Sequence, residues 1–244
     1  MVEESKVIDE VKTEIKEFKT PALGEVSTKE MDIGRAWCLW EQFDEVVQGE
    51  RTAATNSSNY GANMKQVALF NDIPSFARVW KTLPHCQIGK IFFNNKSNMV
   101  NVWKKADGSG TELRIHTLSL FQNQVEPKWE DEVNKQGGEF KMSFFAATST
   151  VQMLWERLIF DIVAQEFPHC DFIAGVRLLD KSMSNKQGFF RLEVWTKFDD
   201  ETSKLGTEMK KYLAEHFVEQ ILNPEEKITE REFQKVDIMF GKHK

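Results

Sequence analysis

Residues 151–167, VQMLWERLIFDIVAQEF, place Val151, Leu154, Trp155, Leu158 and Ile162 at helical spacing, and Pro168 ends the run. A helix with so continuous an apolar stripe must be packed against a broad apolar surface. The chain around it supplies strands: 139–146 before the helix, and 172–179 and 189–197 after it, separated by a Ser/Asn/Gly turn region. A further helix is expected from about Thr202 to Leu222, where Pro224 stops it, and a strand at 234–240 closes the chain.

The same order runs upstream. RAWCLWEQF at 35–43 reads as a strand, residues 44–62 as a long polar loop, and NMKQVALF at 63–70 as a second strand. Pro74, just after Asp72 and Ile73, suits the first turn of a helix that runs to about Leu83. Residues 98–105 and 111–117 bracket Asp107-Gly108-Ser109-Gly110, a hairpin signal, and a strand at 117–121 leads into an acidic loop. Three times a strand or strand pair precedes a helix. That order predicts an α+β domain whose mainly antiparallel sheet carries its helices on one face and leaves the other for a ligand. Trp37 and Trp155 are expected inside, and Trp40, Trp129 and Trp195 near strand ends or loops.

With 244 residues, 41% of them hydrophobic, one domain with decorated ends is the expected count. The 38 acidic residues outnumber the 32 basic ones, which argues against nucleic-acid binding through a broad basic face, so any such contact must be local. Three cysteines at unpatterned spacings suit a reducing compartment, the cytoplasm or also the nucleus. Neither a signal peptide nor a membrane span is expected. Within residues 1–30, Ile8, Val11, Ile15 and Phe18 form one stripe, read either as a solvated tail or as an amphipathic arm that folds onto this domain or another protein.

The most informative local run is VEPKWEDEVNKQGG at 125–138. It sets an aromatic plate, Trp129, beside a carboxylate, Glu130. The ring can stack on a flat cation, the carboxylate can accept a forked pair of N–H bonds from its edge, and Pro127 stiffens the approach. A methylated guanine has that shape and charge. Taken alone, the run describes an acidic loop with a tryptophan tucked into the core edge better than it describes a ligand site. Pro-His-Cys occurs at 84–86 and 168–170, which invites a zinc reading, but adjacent ligands do not fit zinc spacing. The run Glu130, Asp131, Glu132 invites an acid–base pair, yet no Ser-His-Asp set, phosphate loop or matching second carboxylate accompanies it, so a non-catalytic protein without metal or cofactor is expected.

Five pieces together, VEPKWEDEVNKQGG, the pair Trp37 and Trp40, YGANMKQVALF at 60–70, LWERLIFDIV at 154–163 and VWT at 194–196, resemble the eukaryotic translation initiation factor 4E family, which binds the 7-methylguanosine cap of messenger RNA. The resemblance spans about Arg35 to Phe240. It implies a curved, mainly antiparallel sheet with three helices on its convex face and the cap site at the concave side. Residues 31–244 then form the cap-binding domain, with an insertion near 86–116, and 1–30 the arm. That insertion and the altered helix surface resemble the divergent members of kinetoplastid protists.

The resemblance implies that Tyr60, where the family usually has tryptophan, and Trp129 sandwich the base, that Glu130 accepts the guanine N1–H and N2–H₂, and that Trp195 lies against the N7-methyl group. Phosphates would fall to Arg191, Lys186 and Lys181, while Asp180 and Glu139 stand where basic residues are usual. Ile73, Trp155 and Phe160 would receive an amphipathic helix of an initiation scaffold or a competing repressor; Ala77 replaces a usual tryptophan, and Glu156-Arg157 a usual Leu-Glu. The implied partners are capped messenger RNA and that helical protein, with no membrane, and the chain is expected to be a monomer outside its complexes. An alternative is a regulatory adaptor of the same fold with weak or lost cap binding, acting as a repressor through its helix face and arm. A cap-hydrolysing enzyme is a third, without an evident catalytic set.

Overall fold

Side chains on β1 (Asp32–Val46) alternate between two destinations: Ile33, Trp37 and Leu39 enter the main core, while Cys38 and Trp40 face the other way. The computed structural model describes residues 31–46, 63–83, 87–92, 103–104, 108–182, 188–222 and 236–243. The predicted arm at 1–30, the loop 47–62 with Tyr60, the first Pro-His-Cys and Lys186 lie outside the described residues.

After β1 come β2 (Met64–Asp72), α1 (Ile73–Thr82), α2 (Ile88–Ile91), β3 (Trp103–Lys104), β4 (Glu112–Gln122), β5 (Gly138–Phe145) and α3 (Thr148–Val163). A 3₁₀ turn (Cys170–Phe172), β6 (Ile173–Asp180), β7 (Phe189–Thr196), α4 (Lys204–Leu213) and β8 (Ile238–Lys242) follow. The sheet is open and antiparallel in the order β2-β1-β4-β6-β7-β5-β8, with β3 on the free stretch of β4. The predicted α+β class is the observed one.

Helix ends follow local chemistry. Asp72 caps α1 by accepting a bond from the Ser75 N–H at 2.7 Å, Pro74 occupies its first turn, and Leu83, the residue before Pro84, turns extended. In α4 the Ser203 hydroxyl accepts from the Gly206 N–H at 3.1 Å. Helix α3 ends at Val163, four residues before the predicted stop at 167. The cause is Gln165, which takes a left-handed conformation (φ 60°) while the N–H groups of Glu166 and Phe167 return to the Asp161 carbonyl. The Gln165 side chain then donates to the Ile33 carbonyl at 2.9 Å and ties the helix end to β1.

Four further boundaries differ from the expectation. The strand predicted at 35–43 continues to Val46, because Glu45 and Val46 still pair with β4. The segments expected at 111–117 and 117–121 are one strand, interrupted only by a bulge: Gln42 pairs with Thr117 and Phe43 with Ile115, leaving His116 as the extra residue. The bulge returns Ile115 to the core with Leu118 and Leu120. The single helix expected over 202–222 is α-helical only to Leu213 and continues as a π-helix over Ala214–Leu222. The last strand runs 238–242 in place of 234–240.

Alternation makes the sheet two-faced. Leu118, Leu120, Val176, Leu178, Leu192, Val194, Phe140 and Met142 pack against Leu154, Trp155, Leu158 and Ile162 of α3 and Met209 and Leu213 of α4. The opposite face carries Ser119, Phe121, Arg177, Arg191, Glu193 and Trp195.

Behind the sheet, α3 and α4 are joined by a polar contact. Asp161, 5% exposed, accepts from Arg157 Nε at 2.7 Å and from the Tyr212 hydroxyl at 2.8 Å. Tyr212 is pushed up to about 12, by burial first and then by its bond to the Asp161 carboxylate. Replacing Asp161 by Ala removes the acceptor of the Tyr212 hydroxyl and returns the half-exposed Arg157 to water, and urea denaturation should report a loss of about 1–2 kcal/mol.

Candidate functional site

The loop between β4 and β5 is built to hold one shape. Asn134, fully buried, donates from its amide to the carbonyls of Glu126 and Lys128, both at 2.8 Å. Asp131 accepts from the N–H groups of Glu126 at 3.0 Å and Val133 at 2.9 Å. At its exit the loop passes so close to β7 that a Cβ on Gly137 would lie 1.9 Å from the Thr196 carbonyl oxygen, which explains the glycine. His243, just past β8, clamps the loop from outside: its N–H donates to the Gly137 carbonyl at 3.0 Å and its Nδ1 meets the Asn134 carbonyl at 2.7 Å.

On this frame Trp129 is 52% exposed and Glu130 is exposed. An indole of that size left in solvent by a fixed loop is a platform rather than a core residue. Under the loop, Val125 packs with Phe121, Ala174 and Trp195, and Trp40 closes the edge, so the platform stands at the Trp195 end of the polar sheet face.

Trp195 itself is fully buried. Phe121 meets it edge-on at 5.4 Å, His243 lies at 4.4 Å, and the Arg177 guanidinium sits 5.3 Å from the ring centre. Trp195, Arg177 and Arg191 converge on Glu193, a carboxylate 4% exposed. It accepts from Trp195 Nε1 at 3.1 Å and Arg177 Nη1 at 3.2 Å, and Arg191 Nη1 stands 3.9 Å away. Arg177 donates its other amino group to Gln42 at 3.2 Å.

Of the residues singled out for anion binding, Arg191 and Lys181 come together. Arg191 lies on β7 beside Ser143, with Nε 3.3 Å from the hydroxyl, and remains partly open to solvent. Solvent reaches Lys181, yet protein atoms crowd its ammonium, and this desolvation, with the Arg191 guanidinium next, lowers its pKa. Asp180 is buried, accepts from the Ser182 N–H at 2.8 Å and faces Arg114 at 3.9 Å, so it turns away from the open surface. Glu139 pairs with Lys141 at 2.7 Å.

Arg177 was not singled out from the sequence, although a signal was present. It is the one basic residue in the otherwise apolar run IAGVRLL of β6, and a buried guanidinium in such a run requires a carboxylate partner. Glu193 and His243, which position Trp195 and the loop, carried no such signal.

The second predicted surface lies on α1 and α3. Ile73 is 42% and Phe160 43% exposed, and the Phe160 ring packs edge-on against Phe76 at 5.8 Å and Trp80 at 5.5 Å. Trp155 is fully buried, so it lies under this surface and offers no area of its own. Arg157 is engaged by Asp161.

Among the described residues, no group of three or more His, Cys, Asp and Glu side chains could hold a metal ion, and no helix is long and apolar enough to cross a membrane. In the second Pro-His-Cys, His169 pairs with Glu208 at 2.5 Å, while the buried Cys170 thiol, pushed up to about 11 by burial, donates to the Ile162 carbonyl.

The family model described as eukaryotic initiation factor 4E matches residues 32–237. Eukaryotic translation initiation factor 4E allele A of Solanum tuberosum is 25% identical over 194 residues, 78% of this chain and 68% of that protein. Eukaryotic translation initiation factor 4E1 of Drosophila melanogaster is 32% identical over 88 residues, 35% of this chain and 32% of that one. Among solved structures, eIF4E-3 of Ascaris suum in complex with an m7G cap superposes with a TM-score of 0.54 at 16% identity, covering 88% of this chain and 92% of its own. The eIF4E-3 of C. elegans in complex with the 4E-binding protein Mextli gives 0.53 at 17%, covering 80% and 88%. At these identities the structures speak for the fold.

Two outcomes follow from the polar face. Glu193→Ala leaves a buried guanidinium without its carboxylate, and chemical denaturation should show a loss of about 3–5 kcal/mol. His116 is lowered to about 4, chiefly by burial, against the pull of Asp44. Its folded value lies below the unfolded 6.5, so the stability held by the neutral ring is complete above pH 6.5 and is withdrawn as pH falls toward 4. His116→Asn should therefore flatten the fall in melting temperature between pH 6.5 and pH 4.5.

Proposed function

Because the chain belongs to the eukaryotic initiation factor 4E family, we propose that it binds the 7-methylguanosine cap of messenger RNA and engages a helical partner protein in translation initiation or its regulation. The observation that carries the reading is the exposed Trp129–Glu130 pair on a loop fixed by Asn134 and Asp131. Methylation makes guanine a flat cation, which an indole face attracts, and its N1–H and N2–H₂ edge presents two donors to one carboxylate. Tyr60 supplies the second plate. Arg191 and Lys181, with Lys186, take the phosphates, and Trp195 faces the methyl group once Arg177 or His243 gives way. The Ascaris suum relative was solved with an m7G cap, which supports the reading.

For the partner, the exposed Ile73 and Phe160, seated on Phe76 and Trp80 with Trp155 beneath, form an apolar ledge for an amphipathic helix. The C. elegans relative was solved with a 4E-binding protein. The protein acts as a binding factor rather than an enzyme, in the cytoplasm or nucleus.

Three observations favour a second reading, an adaptor with weakened cap affinity. Glu193 engages the guanidinium of Arg177, Glu139 stands where a basic residue is usual, and Trp195 is enclosed. Retention on immobilised 7-methylguanosine triphosphate separates the two readings: a cap-binding protein is retained and eluted by free ligand, whereas the adaptor flows through. Glu130→Ala should lose about 100-fold in affinity, the equivalent of about 3 kcal/mol for two charge-assisted bonds. An unchanged affinity in that variant contradicts the assigned role of Glu130.

A further inference from the structure

The polar face does not stop at Arg191. Two residues farther from Trp195, Phe145 of β5 lies directly across from Phe189 of β7, with ring centroids 4.7 Å apart and planes tilted by 36°. Alternate residues of a strand share a face. On β5 that row is Glu139, Lys141, Ser143 and Phe145; on β7 it is Trp195, Glu193, Arg191 and Phe189. The Lys141–Glu139 pair and the Arg191–Ser143 bond lie on this face. The intervening Phe144 and Phe190 are fully buried on the core side, so the core is filled without the outer pair. Phe145 is 51% exposed, which leaves one aromatic face to solvent at the end of a row of charged residues.

We propose that Phe145, backed by Phe189, stacks the nucleobase that follows the triphosphate bridge of a capped RNA. The inference rests on the cap-binding reading and extends it past the cap itself. Position supports it: from Trp195 to Arg191 is four residues, roughly 13 Å of strand, and Phe189 lies roughly 7 Å beyond. A base held by Trp129 at the Trp195 end, with its phosphates along Arg191 and Lys181, delivers the next ribose and base to the Phe145 end. Charge supports it as well, because the partly exposed guanidinium of Arg191 precedes the rings and Lys181, whose backbone N–H donates to the Phe189 carbonyl at 2.8 Å, stands level with them, which suits a polyanion along this row. The chemistry is general: a base of any identity can stack on an exposed ring, so the site would tighten binding without selecting sequence.

The test compares two compounds of equal charge, 7-methylguanosine triphosphate esterified to adenosine and the same compound ending in ribose without its base. Fluorescence titration at fixed salt should show the wild-type protein binding the adenosine compound at least fivefold more tightly. Phe145→Ala should erase that preference while leaving the affinity for the base-free compound unchanged, and Phe145→Trp should keep it. Equal binding of both compounds by the wild type, or a preference that survives in Phe145→Ala, overturns the proposal and leaves the cap reading intact. Binding of neither compound removes the cap reading, and this proposal with it.

Discussion

Each central strand must serve two solvents, a dry one against the helices and a wet one at the site, and the rest of the structure depends on that division. On β6 and β7 it runs residue by residue: Val176, Leu178, Leu192 and Val194 enter the core, while Arg177, Arg191 and Glu193 occupy the gaps between them. A one-residue slip would exchange the two sets and place guanidinium groups among the leucines. The register is therefore fixed by the same burial that stabilises the domain, and the site inherits its precision from the core. Glu193 lets charges lie on so crowded a face, because it compensates Arg177 while holding the Trp195 indole.

Rigidity at the platform has a different source. Little of the β4–β5 loop is packed apolar surface beyond Pro127 and Val125; its shape comes from Asn134, Asp131 and His243 bonding its main chain. This leaves Trp129 and Glu130 free of structural duty. A ligand that meets them finds the loop's ordering entropy already lost, which is the usual benefit of a preorganised site.

Much of this was legible in the sequence for reasons that can be named. Helix α3 announced itself by its apolar spacing, α1 by Asp72 and Pro74, and the platform by a tryptophan beside a carboxylate in a Pro/Gly-bounded run. What escaped depended on contacts distant in sequence. The early end of α3 reflects Gln165 reaching Ile33, the joined β4 reflects a bulge against β1, and the enclosure of Trp195 reflects His243, a residue 48 positions away. Arg177 escapes for a different reason: a single charge inside an apolar strand reads like any surface-facing residue, and only its burial makes a carboxylate partner obligatory.

The central claim is that the exposed indole and carboxylate read the charge and edge of a methylated guanine. Titration of intrinsic tryptophan fluorescence with 7-methylguanosine triphosphate and with guanosine triphosphate tests it most directly, since Trp129 is the reporter as well as the plate. The account predicts saturable quenching by the methylated nucleotide, with the unmethylated one at least tenfold weaker. Equal quenching by the two, or none by either, would contradict it.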